Sequence, residues 1–437
     1  RIFVDPDEKV MKRLAVTSGV RKIWTSNRVN PRELFESAAN TSKTLAETCT
    51  NLMKQTKILA RLREEKFDLG IAEPFSACGF ALFHAIGLKN YVSAISGIRF
   101  DHVSQAIGEP IIPSFIPGTM SLFWDWSSLT HRLLNTIQTH LGIYIVSGEL
   151  VARSIFIFPN TIPFLDFPAP TLNKVVPIGG ISVSSMRGTN KLPEEWDKVL
   201  SQTEKTVLIS FGSNAESLRM PNLFKISMVH LFESMPNVTF IWKHEYDQDP
   251  FFKHLTNVYL ASSLPELELL ADKRLSLFIT DGELGSTMEL ATLGKASIVI
   301  PLFSDQYRNV NMLTRHGGAL SFVKENLGRF SLLKDAVLKV LNDKSFANNA
   351  TKLADMLKNQ PTNARETLLN HVEFAAKFGQ QTNTDPYSRK LSFCQYYILD
   401  GLFIVVSIIL VVPYVLYKIA RLIFNSLCRF TQKLKTE

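Results

Sequence analysis

A chain of 437 residues, 46% of them apolar, is long enough for two domains with full cores and has the composition of a globular protein. Its net charge of +8 carries no nucleic-acid signature: residues 398–437 hold five Lys/Arg against Asp400 and Glu437, leaving +5 over the rest, and no basic stripe with interleaved aromatics occurs. The four cysteines, at 49, 78, 394 and 428, are too few and too scattered for a disulfide framework or a zinc site, and no cluster of metal ligands is expected.

The chain starts at Arg1 with no signal peptide ahead of it, so an N-terminal piece is expected to be absent. Residues 32–65 read as one long amphipathic helix, with Leu45, Cys49, Leu52, Met53, Thr56 and Leu59 at helical spacing. FDLGIAEP (67–74) is a short buried strand ending in a turn; a helix over 76–87 and the strand YVSAIS (91–96) complete a βαβ unit. Pro110, Pro113 and Pro117 make 108–118 an extended loop. A helix near 126–141 and the strand SIFIF (154–158) follow, and 159–193 is Pro- and Gly-punctuated, as a connection between domains would be.

From Lys205 the alternation restarts. TVLISF (206–211), VTFIW (238–242), LSLFI (275–279), ASIVI (296–300) and ALSF (319–322) are nearly continuous apolar strands separated by helical stretches. Such strands indicate a parallel sheet covered on both faces, which binds ligands at its carboxyl edge. Gly212-Ser213-Asn214, Asp281 to Thr287 and Pro301 to Gln306 occupy that edge. The residues predict an α/β protein of two doubly wound domains with a cleft between them.

FITDGELGSTMEL (278–290) is the most telling stretch. A strand, a glycine turn and a helix start form the grammar of a phosphate site, in which free N–H groups meet the anion. Asp281 and Glu283 nevertheless put two carboxylates in the turn.

Residues 398–416, ILDGLFIVVSIILVVPYVL, are about the length that crosses a bilayer as a helix. Phe393, Tyr396 and Tyr397 precede the span, and Lys418, Arg421, Arg429, Lys433 and Lys435 follow it. The positive-inside rule puts this tail, with Cys428, in the cytosol and residues 1–397 on the other side. Three sequons, at Asn40, Asn237 and Asn349, permit glycosylation there.

FLDFPAPTLNKVVPIGGI (164–181), ISFGSNAE (209–216), FITDGELGSTMEL, PLFSDQYRNVNMLTRHGGAL (301–320) and QYYILDGLFIVV (395–406) together resemble the UDP-glucuronosyltransferase family, the nematode type most closely. The resemblance covers nearly the whole chain. It implies a membrane-anchored GT-B enzyme of two Rossmann-like domains with a C-terminal transmembrane helix. Such enzymes move a sugar, here glucuronate or glucose, from UDP to small lipophilic acceptors in the endoplasmic reticulum lumen, with the UDP-sugar as co-substrate and no cofactor. Residues 1–175 are then the acceptor-side domain and 176–378 the donor domain with its linker and C-terminal helices. A juxtamembrane segment (379–397), the span (398–416) and a basic cytosolic tail (417–437) follow. Assembly as a homo- or hetero-oligomer is left open.

Carried over residue by residue, Gly212 and Ser213, with Asn214 beside them, match the loop facing the diphosphate, and Gly285, Ser286 and Thr287 the phosphate-binding helix start. Glu289 matches the acid that holds the ribose hydroxyls, and Asp305 and Gln306 the pair that grips the sugar. The chain departs from the family at several places. Asp281 replaces a histidine, Glu283 a glycine, and Ser263-Leu264-Pro265-Glu266 replace Trp-x-Pro-Gln in the uracil segment. Glu73 replaces the catalytic aspartate, and the histidine it would orient belongs to a strand–loop preceding Arg1. His84 and His102 are the imidazoles near the relevant strands, read first as helix or loop residues.

General-base help supplies about 10²–10⁴-fold in such chemistry. Without that histidine, this polypeptide is expected to show no transfer above background. A carboxylate about 4 Å from a phosphate charge costs up to roughly 4 kcal/mol at an effective dielectric of 20. A helix N-terminus returns about 0.3–1 kcal/mol, and loss of the stacking ring at Ser263 removes about 1–3 kcal/mol more. Donor binding is therefore expected to be at least about a hundredfold weaker than in intact relatives, unless Asp281 is protonated by its surroundings or a Mg²⁺ bridges it to the diphosphate. The alternative reading is a catalytically impaired member kept as a membrane-bound binding or assembly partner.

Overall fold

A computed structural model describes residues 23–25, 31–119, 121, 125, 127–143, 149–186 and 191–434. These fall into two compact units, Arg1–Thr384 and Asp385–Glu437.

Among the described residues, the first helices of this unit are α1 (Pro31–Met53) and α2 (Thr56–Glu64). The single helix expected over 32–65 is thus interrupted at Lys54-Gln55, where Gln55 N–H bonds the Leu52 carbonyl and Thr56 N–H that of Lys54. Strand β1 (Gly70–Ala72), helix α3 (Cys78–Ile86) and strand β2 (Tyr91–Ile95) form the anticipated βαβ unit. Then come α4 (Asp101–Ile107), α5 (Leu129–Ile143), α6 (Glu149–Ala152) and β3 (Ile157–Pro159). The three strands lie parallel in the order β1-β2-β3. Tyr91, Ile95 and Ile157 pack on one face of this sheet, and Val92, Phe156 and Phe158 on the other. Cys49 and Cys78 are disulfide-bonded, tying α1 to the start of α3. Counting cysteines against a framework missed this single bond, because a pair 29 residues apart leaves no pattern in the sequence.

After α7 (Ile181–Met186) and α8 (Glu194–Leu200), the second sheet contains β4 (Lys205–Ser210), β5 (Val238–Lys243), β6 (Val258–Ala261), β7 (Leu275–Thr280), β8 (Ser297–Val299) and β9 (Ala319–Ser321). All pairings are parallel, in the order β6-β5-β4-β7-β8-β9. Successive residues of β4 go to opposite cores: Val207 and Ile209 join Phe240, Trp242 and Ile279 on one face, while Leu208 joins Ile241 and Phe278 on the other. Two covered faces are why these strands read as unbroken apolar runs. The edge strand β6 was missed: its apolar run, VYLA, is only four residues long, and the strand is half-buried throughout.

Helices α9 (Asn222–Glu233), α10 (Glu266–Ala271), α11 (Leu284–Leu293), α12 (Gln306–Thr314), α13 (Phe330–Asn342) and α14 (Lys344–Lys358) cover the sheet. Helix α15 (Ala364–Phe378), assigned to the donor domain by its place in the chain, instead packs Leu368, Val372 and Ala375 against the first sheet. Conversely, Trp24 lies against Phe211 of the second core, ring centroids 5.0 Å apart. Gly179 marks the crossing between the sheets. A Cβ there would lie 2.4 Å from the Thr161 carbonyl carbon, so only glycine fits.

The second unit contains α16 (Phe393–Tyr396), closed by a Ser392/Gln395 capping box, and α17 (Leu399–Leu434). Its apolar stretch, Leu399–Ser426, is long enough to cross a membrane, and Phe403 and Leu410 are well exposed along it. The span begins one residue later than expected, because Ile398 takes a left-handed φ of +54°. The tail expected from 417 continues the same helix instead of leaving it.

Candidate functional site

The chain leaves β4 toward β5 and β6, then returns to β7 on the other side of β4. Ligands of doubly wound sheets bind at such a reversal, outside the carboxyl ends of the strands. The loops after β4 and β7 meet there.

Gly212 turns the chain into the first loop with a φ of +70°, and Ser213 and Asn214 beyond it are exposed. Gly282, at φ +80°, turns the second loop into α11, for which Glu283 is the N-cap. A helix leaves its first-turn N–H groups without intrahelical partners, and here they belong to Leu284, Gly285 and Ser286. Gly285 is exposed, with open space where a side chain would begin. Glu283 does not cap its own helix with its carboxylate. The side chain crosses to the other loop, where Asn214 Nδ2 donates to Oε1 at 2.7 Å. Its Oε2 lies 2.9 Å from where a Cβ on Gly212 would stand.

Asp281 behaves differently from the expectation that both carboxylates face the anion. It is fully buried, and Gln306 Nε2 donates to its Oδ2 at 2.7 Å. Burial, reinforced by Glu283, pushes its carboxyl up to about 7. Gln306, expected to grip a sugar, is buried as well: its Oε1 accepts from Leu302 N–H at 2.8 Å and Phe303 N–H at 3.0 Å. The amide's oxygen and one of its two N–H donors are thus spent inside the protein. Asp305 remains half-buried, with Asn309 Nδ2 on its Oδ2 at 3.0 Å. Thr287 is also turned inward, its hydroxyl on the Gly282 carbonyl at 3.3 Å.

At the third corner, Ser263 is exposed and Pro265 is the N-cap of α10. Ser286 Oγ donates to Glu266 Oε1 at 3.3 Å. Burial, with the neighbouring charge of Glu266, raises Glu289 to about 7. Glu266, Ser286 and Glu289 are therefore neighbours.

On the first sheet, Glu73 follows β1 and accepts from the Ser96 backbone N–H at 3.0 Å and from the Ser96 hydroxyl. Asn160, after β3, donates to the Ser96 carbonyl at 3.0 Å. Among the described residues Glu73 bonds Ser96 and no imidazole. His84 is exposed in the last turn of α3. His102 stacks on Phe100, ring centroids 5.4 Å apart; one ring nitrogen bonds the Pro74 carbonyl, and burial lowers its pKa. The strand and loop expected to carry the catalytic histidine lie outside the described residues.

Sequence reasoning missed Arg308, two positions beyond Gln306. It is buried, pairs with Asp166 Oδ1 at 2.5 Å, and its guanidinium lies 5.3 Å from the Phe167 ring centroid. The signal was present, since FLDFPAP and PLFSDQYRN were both singled out, but nothing in either block says that they touch. A cavity of about 700 Å³ lies beside this contact, lined by Phe115, Phe167, Pro168 and Arg315. Arg315 caps the far end of α12 from Gln306, so the cavity is separate from the loop crevice.

The family model described as UDP-glucoronosyl and UDP-glucosyl transferase matches residues 6–148 and 144–434. A putative UDP-glucuronosyltransferase of Caenorhabditis elegans, ugt-50, is 23% identical over 85% of this chain and 76% of its own length. Human UDP-glucuronosyltransferase 3A2 is 26% identical, over 84% and 73%. Mouse 2-hydroxyacylsphingosine 1-beta-galactosyltransferase is 25% identical, over 94% and 77%. Among solved structures, UDP-glucose: anthocyanidin 3-O-glucosyltransferase in complex with UDP aligns with a TM-score of 0.58 at 14% identity, covering 80% of this chain and 83% of its own. These structural neighbours share the GT-B arrangement of parallel sheets.

Proposed function

Since the chain belongs to the UDP-glucuronosyl and UDP-glucosyl transferase family, we propose, against the sequence-based expectation of no turnover, that it transfers glucuronate or glucose from a UDP-sugar to small lipophilic acceptors. A UDP-sugar donor fits the family and the fold. The convergence of Gly212, Glu283 and the start of α11 at the sheet's reversal carries the donor half of this reading. The lipophilic acceptor rests on the relatives: the mouse protein is named for an acylsphingosine, and the present chain covers most of it. Inverting transfer needs a base at the acceptor hydroxyl, and Glu73 with Ser96 marks the edge where it would work.

Donor choice is tested by calorimetry on the detergent-solubilised protein with UDP, ADP and GDP, followed by product analysis with both UDP-sugars. UDP should bind in preference to the other two. Equal affinity for all three, or for none, would overturn the reading.

The single apolar helix is consistent with single-pass anchoring. We place the body in the endoplasmic reticulum lumen and the C-terminal end in the cytosol, on the charge asymmetry around the span and the Cys49–Cys78 bond, which suits an oxidising compartment. Glycans should sit on Asn40 and Asn237, which are exposed, and not on Asn349, whose amide nitrogen is turned to the Gly317 carbonyl at 3.3 Å. Endoglycosidase treatment should therefore shift the wild type and, by one glycan less, Asn237→Gln, while Asn349→Gln migrates as wild type. In sealed microsomes protease should remove only the C-terminal end. Digestion of the body with the end protected reverses the orientation.

A further inference from the structure

The two loop carboxylates differ in what they can do to a ligand. Asp281 is withdrawn into the core and satisfied by Gln306. Glu283 spans the crevice between the loops, latched by Asn214 and lying over the one position, Gly212, whose missing side chain leaves it room. It is half-buried and reachable from solvent. An acceptor-only anion thus sits beside the helix N-terminus that would otherwise receive a phosphate.

We infer that Glu283 is a built-in competitor for the donor diphosphate and sets the donor affinity of this chain: the nucleotide's phosphates enter the crevice by displacing the Glu283 carboxylate from Asn214 and Gly212. The inference rests on the UDP-sugar reading and assigns to one residue what the sequence spread over two. It has a definite signature. Displacement costs a ligand only where it carries phosphate, so the nucleoside portion should bind independently of Glu283. The latch has two parts, charge and occupancy. Glu283→Gln keeps an oxygen for Asn214 and removes the charge, whereas Glu283→Gly removes both.

The experiment is calorimetric titration of the full chain in detergent with UDP and with uridine, on wild type, Glu283→Gln and Glu283→Gly. Thermal melts of each variant establish that it is folded. Glu283→Gly should bind UDP at least about tenfold more tightly than wild type, with Glu283→Gln in between and uridine affinity changed less than about threefold. Asp281→Asn should leave UDP affinity within about threefold, since that side chain does not face the crevice. UDP binding no tighter in either Glu283 variant overturns the inference while leaving the UDP-sugar reading in place. A gain shared equally by uridine also overturns it, because the effect would then lie away from the phosphates. If neither ligand binds any variant, the donor reading itself fails.

Discussion

Asp281→Asn is expected to stabilise the protein, and by more as the pH rises. In the fold the Asp281 carboxyl is held at about 7, chiefly by burial and then by Glu283, against an ordinary value of 3.8. Between those two values the folded protein keeps a proton that the unfolded chain has released, so stability falls as pH rises through this window and levels off above about 7. At about 1.36 kcal/mol per unit, the full effect is on the order of 4 kcal/mol. Asparagine cannot ionise and keeps an oxygen for Gln306 Nε2. The advantage of the variant should therefore grow by roughly 2–3 kcal/mol between pH 5 and pH 8. Glu289 titrates in the same window but is common to both proteins and cancels. Chemical denaturation at the two pH values measures the difference. An advantage independent of pH would mean that Asp281 is charged in the fold throughout.

The second large effect is expected at Arg308. Its guanidinium reaches Asp166 at 2.5 Å, the Pro117 carbonyl at 3.5 Å and the face of Phe167. One side chain of α12 thereby holds both the segment leading out of the first sheet and the proline loop. Truncating one partner of a buried ion pair costs about 3–5 kcal/mol, mostly because the other charge is stranded. In Arg308→Ala the Asp166 carboxylate would keep the Phe167 N–H at 2.6 Å and the nearby charge of Arg315, whose own hydrogen bond goes to the Asp166 carbonyl at 2.8 Å, so the loss should fall at the lower end of that range. Arg308→Lys should recover only part of the loss, because a lysine lacks the planar fork and stacks poorly on an aromatic ring. Adding Asp166→Ala to Arg308→Ala should give back about 1–3 kcal/mol in a double-mutant cycle. A loss below about 1 kcal/mol for Arg308→Ala would show that the pair contributes little.

Much of this architecture was legible because burial on both faces writes itself into sequence. β4, β5, β7, β8 and β9 were all visible as apolar runs, and the glycines at 212 and 282 marked the turns. What escaped detection depends on side-chain direction or on distant contacts. No local pattern tells that Asp281 points inward and Glu283 outward, although they are two residues apart. That choice follows from Gln306, 25 residues on, which meets Asp281 from α12. The interruption at Lys54-Gln55 escaped for a related reason: the apolar spacing continues across it, and only the backbone bonds change. The return of α15 to the first sheet is a matter of topology, which amphipathic spacing does not encode.

Helix α17 is 36 residues long and contains Pro413 without ending there. At about 1.5 Å of rise per residue it is a rod of roughly 54 Å, against a hydrocarbon slab of about 30 Å. Even a tilt of about 20° takes up only a small part of the excess. If Leu399 marks one face of the slab, the other falls about nineteen residues on, beside Lys418 and Arg421. The remaining four turns or so then run on past the lipid tails from the basic residues Lys418 and Arg421. Anionic headgroups attract such residues at about 1 kcal/mol each. As an anchor such a helix would have two separable parts, an apolar span that fixes depth and an extension that meets the headgroups.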